Sequence, residues 1–143
     1  MKSFEGAVIS SSLFLRDFMQ ELGITNEKRA YLALRSALHV VRDRLVVDEA
    51  ANLGAQLPLI IRGLYYEGWR PAGKPLRLRT LSAFLGRLQD ECAAANLDPE
   101  EVARALFRVF DRHITRGEAD DVRHMLPKVV AALWPEVPSA RLT

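Results

Sequence analysis

The chain has one cysteine, Cys92, among 143 residues. That excludes an internal disulfide and any multi-cysteine metal cluster, and it fits a reducing compartment. No apolar run approaches the roughly 18 residues that a membrane-spanning helix needs. The opening MKSFEGAVISSSLFLRDF departs from a signal peptide in three ways. Glu5 interrupts the basic region, Arg16 and Asp17 end a short apolar stretch, and no small-x-small cleavage site follows. The expectation is a cytoplasmic protein with no membrane contact. An excess of one charge is also lacking. Twenty basic and 18 acidic side chains leave a net charge of +2, so a pI of 8.9 makes no global electrostatic case for nucleic acid. Period-two alternation is nowhere long enough to make a strand.

Catalytic signatures are missing too. Ser10, Ser11 and Ser12 have no GxSxG context and fall in a lead-in expected to be unstructured. Gly73-Lys74-Pro75 is not a phosphate loop, because GxxxxGK[ST] with its Gly-rich cradle and magnesium-binding hydroxyl is absent. Cys92 falls on the apolar stripe of its helix, where a small buried thiol is the ordinary state. No catalytic residue, cofactor or metal site is assigned, and the chain is expected not to be an enzyme.

What the chain does have is a pattern that repeats. Shifted by 69 positions, Ala33 to Tyr66 lies on Val102 to Pro135 without a gap. Arg35, Val40, Glu49, Ala50, Leu57, Pro58 and Leu64 then meet Arg104, Val109, Glu118, Ala119, Leu126, Pro127 and Leu133. A self-matching helical pattern predicts two similar units in one body. A hydrophobic content of 49% supplies a core, and 143 residues suit one domain that buries about two-thirds of its unfolded surface.

Tyr31, Leu34, Leu38, Val41 and Leu45 recur at spacings of three and four, on one stripe of a helix. Ala103, Phe107, Phe110 and Ile114 form its counterpart. A short element follows in each half, with Ala50, Leu53 and Leu57 inward in one and Ala119, Val122 and Leu126 in the other. Thr115 and Glu118 have capping-box spacing, in which hydroxyl and carboxylate each take a free N–H. The first half keeps Glu49 but has Val46 in place of the hydroxyl, so that start should be less well capped. Pro58 and Pro127 then open further helices. Leu57, Ile60, Ile61, Leu64 and Tyr65 are expected on the buried stripe of one, and Leu126, Val129, Val130 and Leu133 on that of the other. Phe14, Leu15, Phe18 and Leu22 match Phe84, Leu85, Leu88 and Cys92 at an offset of 70, which gives each half a leading helix. Asp98-Pro99-Glu100-Glu101 is a helix start, with a capping Asp, Pro at the first position and acids on the positive end of the dipole.

The fold expected is all-α: about eight helices as two repeated four-helix units, residues 12–69 and 80–135, in one compact bundle spanning 1–143. About ten residues at each end are expected to be poorly ordered.

The run RDRLVVDEAANLGAQLPLIIRGLYYEGWRPAGKP, Arg42 to Pro75, resembles the signature of the bacterial family catalogued as domain of unknown function 2267. The similarity extends over roughly Phe14 to Trp134. It implies a small all-helical bacterial protein and no particular reaction. The second half departs at Met125-Leu126-Pro127 and Trp134-Pro135 and lacks the YYEGW extension, so whatever that extension does is done once per chain.

That single-copy segment, Tyr65 to Arg79, interleaves aromatic and basic side chains. Tyr66, Trp69, Arg70 and Lys74 are the candidate interaction residues. Trp, Tyr and Arg dominate protein interface hot spots, and the same mixture can stack on bases and meet phosphates. The structural alternative is that Tyr65 and Trp69 cover the seam between the halves and the arginines are solvated. His113, His124, Asp111, Asp120 and Asp121 cluster in sequence and are read as solvated surface, with Asp120 and Asp121 suited to the helix dipole; a metal site is the alternative. His39, matching Arg108, is expected on a polar edge. Glu49 and Glu118 are assigned to helix capping. The function expected is a non-enzymatic protein-interaction or regulatory module with an unknown protein partner, homo-oligomerisation being possible. Nucleic-acid binding through residues 65–79, and small-ligand or metal binding between the repeats, are the alternatives.

Overall fold

The computed structural model describes residues 3–136. Among them are eight α-helices and no strand: α1 (Phe4–Leu22), α2 (Glu27–Arg44), α3 (Val47–Gln56), α4 (Leu59–Tyr66), α5 (Leu81–Cys92), α6 (Pro99–His113), α7 (Arg116–Met125) and α8 (Lys128–Ala131), with a 3-10 turn at Ala93–Ala95.

The helix starts follow from local chemistry. Ser3, Asn26, Thr80, Asp98 and Thr115 each accept a free N–H of the first turn that follows. Val46 provides no such bond to α3, as its side chain dictates. Pro58 cannot cap α4 with a side chain either, and there a distant residue substitutes: the Ile60 N–H donates to Ser11 Oγ on α1 at 3.0 Å. Ser11 is therefore buried inside a regular helix rather than lying in an unstructured lead-in. The N-terminal expectation is corrected accordingly: a helix capped by Ser3 begins at Phe4 and takes in residues 4–10. The corresponding expectation for the C-terminus falls mostly on residues 137–143, outside the described part.

α2 and α6 form the centre and bury most of their circumference. Ala30, Ala33, Leu34, Ala37, Leu38 and Val41 of α2 are shielded from solvent, as are Val102, Ala103, Leu106, Phe107, Val109 and Phe110 of α6. Small alanines let neighbours approach while the large side chains fill the space between them. α1 packs on α6 and α4, α5 packs on α2, and α3 packs on α7. The α1–α6 seam has a polar rim, where Arg112 reaches Glu21 at 2.6 Å and His113 reaches Asp17 at 2.7 Å. Trp134 closes the far end, stacked on Phe107 at 4.5 Å with its indole N–H donated to Asp111.

Three positions that the helical stripes assign to the interior lie outside it. Tyr31 is 50% exposed, Ile60 53% and Val129 48%. The stripe places each on the right side of its helix, but no neighbouring element among the described residues covers it there.

Candidate functional site

The aromatic and basic segment is anchored from α2. Arg42, buried, pairs with Asp43 at 2.8 Å and donates to the carbonyls of Tyr65 at 2.7 Å and Glu67 at 3.0 Å. The Leu76 N–H donates to the Asp43 carbonyl at 2.8 Å. Two adjacent α2 residues thus hold both ends of the Glu67–Leu76 turn. Gly68 and Gly73 sit at φ of 72° and 78°, a left-handed conformation suited to glycine.

Tyr65 is fully buried and donates its hydroxyl to the Ala50 carbonyl at 2.7 Å. Burial drives its phenol far above the usual range. Tyr66 and Trp69 are half-buried against the core, with ring centroids 5.4 Å apart. Arg70 is exposed and Lys74 half-buried. Of the four candidate interaction residues, two lean on the core and Arg70 stands clear of it.

His39 is buried rather than on a polar edge. Its Nε2–H donates to the Leu64 carbonyl at 2.8 Å, and desolvation lowers its pKa, so the ring is held neutral. The equivalence with Arg108 failed because α4 covers His39, whereas Arg108 faces solvent and Glu21.

The proposed histidine–carboxylate grouping does not assemble. His113 is bound to Asp17, Asp111 holds Trp134, Asp120 lies 3.9 Å from Arg123, and His124 is exposed. Asp121 instead approaches two residues assigned to capping. Oxygens of Glu49 on α3 and of Glu118 and Asp121 on α7 all lie within 4.8 Å of one another. The capping assignment is half correct. The Glu118 N–H does donate to Thr115 Oγ1 at 3.2 Å, but the Thr115 N–H donates to Gln56 Oε1 at 3.0 Å. A side chain from the other half thus occupies the place meant for the Glu118 carboxylate. Glu49 and Glu118 are each 8% exposed, and each has its Oε2 buried without a hydrogen-bond donor. Burial first, then the hydrogen bond and repulsion from Glu49 and the charge of Asp121, push the Glu118 carboxyl up to about 8. The signal that could have found this pair was the recurrence of Glu49 and Glu118 at matching positions. What it lacked was the fact that α3 and α7 touch.

An apolar cleft of about 640 Å³ opens between the N-terminal half of α1 and the α3–α4 junction. Phe4, Val8, Leu59 and Ile60 line it, and Phe4 is 82% exposed. A second cleft of about 440 Å³ continues on the other side of Ile60, floored by Leu34 and flanked by Leu15 and Tyr31. No helix among the described residues is long and apolar enough to cross a membrane.

A comparison with curated proteins gives no match. The model of one family, described as uncharacterized conserved protein and designated DUF2267, matches residues 12–133. That span takes in α2 to α7 entirely, with most of α1 and all of α8, and the chain therefore belongs to the DUF2267 family.

Proposed function

We propose that this protein is a non-enzymatic interaction module whose contact surface is the apolar trough on both sides of Ile60, between α1 and α4. The observation that carries this reading is the exposure of Ile60 and Tyr31. Both occupy positions whose spacing belongs to a buried stripe, and both line the trough. Contiguous apolar surface of this kind marks contact sites on soluble domains. The occupant that fits is a partner protein offering apolar side chains, for example one face of an amphipathic helix laid beside α4. Tyr66, Trp69, Arg70 and Lys74 form a second contact region in this reading, with Arg70 its most accessible member.

The two halves act as paired four-helix units in the same reading. Supporting it, α1 packs on α6 as α5 packs on α2, and the matching arginines Arg35 and Arg104 each reach the segment after the last helix of their own half. Arg35 reaches Glu67 just past α4, and Arg104 reaches the Leu133 carbonyl just past α8.

The test is cross-linking in the native cells followed by mass spectrometry, comparing wild type with Ile60→Asp and Arg70→Ala. A single partner cross-linked near α1 and α4, and lost in Ile60→Asp while the melting curve is unchanged, supports the reading. Equal cross-linking in wild type and Ile60→Asp overturns the trough, and a loss confined to Arg70→Ala moves the contact to the second region.

A further inference from the structure

We infer that Glu49, Glu118 and Asp121 form a binding site for one hard divalent cation, bridging α3 and α7. Glu49 comes from the first half of the chain and the other two from the second.

The geometry supports this directly. Oxygen donors sit about 2.0–2.6 Å from Mg²⁺, Mn²⁺ or Ca²⁺, so two donors on opposite sides of the ion are separated by up to about 5 Å. The three oxygens here are within 4.8 Å of one another, close enough to share one ion with little backbone movement. The donor set consists of carboxylate oxygens without thiol or imidazole, which selects a hard cation.

The burial supports it independently. Ionised carboxylates are costly to shield from water without a partner. Glu49 and Glu118 are more than nine-tenths buried, and each directs an unpartnered Oε2 into a shielded position. None of the three residues makes an ion pair among the described residues. The local structural role that could have accounted for Glu118 is taken by Gln56. Asp121 is exposed and marks the open side, through which an ion enters and water completes its coordination.

In the absence of a cation, a proton retained on Glu118 answers part of the same need. Cation and proton therefore compete, and loading the site releases protons.

The experiment uses the whole chain, stripped with chelator and titrated with Mn²⁺. Free Mn²⁺ is read from its six-line electron paramagnetic resonance spectrum, and stability from the thermal transition of the same samples. The expected result is one bound ion per chain and a melting temperature higher by about 3 °C or more at saturation. Glu49→Gln, Glu118→Gln and Asp121→Asn should each weaken binding by about tenfold or more. Asp121 is exposed, so Asp121→Asn keeps the test valid if a variant of the buried pair fails to fold. Absence of bound Mn²⁺ at millimolar concentration overturns the proposal, as does binding that survives all three substitutions.

Discussion

Glu49 and Glu118 occupy matching positions 69 residues apart, and their carboxyl groups meet where α3 packs on α7, both shielded from solvent. Two carboxyls so close cannot both ionise cheaply, and Glu118 retains a proton that an exposed glutamate would have lost.

This has a consequence for stability in the chelated protein. The Glu118 carboxyl is raised from an ordinary 4.5 to about 8, so in this interval the folded protein holds a proton that the unfolded chain has released. Stability is greatest below the lower value and falls as pH rises through the window, by up to about 1.4 kcal/mol per pH unit. Glu118→Gln keeps the hydrogen bond and cannot ionise. Urea melts at pH 7 and 8 should therefore lie closer together in the variant than in wild type, with the variant the more stable at pH 8. Parallel pH dependence in the two proteins would remove Glu118 as the cause.

Gly54 is buried in α3, and a Cβ there would overlap the hydroxyl end of the Tyr66 ring. Helix propensity alone favours alanine by about 1 kcal/mol. Overpacking costs about 1–3 kcal/mol and should win. Gly54→Ala should thus lower the urea midpoint, and the double variant Gly54→Ala/Tyr66→Ala should lose less than the sum of the single changes. Strict additivity would show that Tyr66 moves aside at no cost.

Arg42 is the clamp on the Glu67–Leu76 turn. Arg42→Ala leaves the Asp43 carboxylate buried without its partner and removes the donor to two carbonyls. A cost of about 3–5 kcal/mol is expected, together with new proteolytic cleavage between Glu67 and Leu76. Loss of stability without new cleavage would separate the ion pair from control of the turn.

Neighbouring isoleucines on α4 should behave oppositely. Ile61 is buried and Ile60 exposed. Ile61→Ala should cost about 2–5 kcal/mol, and Ile60→Ala within about 0.5 kcal/mol of nothing. Equal losses in denaturant melts would mean that the trough beside Ile60 is closed in solution.

The sequence by itself determined the eight helices and most of their starts. These depend on neighbours a few residues apart: Asp98 before Pro99, Thr115 three residues before Glu118, and Val46 with no oxygen to offer. Stripes at three- and four-residue spacing likewise identified Leu34, Leu38, Phe107 and Phe110 as interior. Spacing fixes the side of a helix on which a residue lies, but whether anything covers that side depends on elements far away in the chain. For that reason only the tertiary structure decided that Tyr31 and Ile60 stay open and that His39 lies beneath α4. The same reason separates the two readings of the glutamates. Capping is a local interaction and was legible at Thr115, whereas the meeting of Glu49 with Glu118 exists because α3 and α7 touch, and the capping site meant for Glu118 was lost to Gln56 from the other half of the chain.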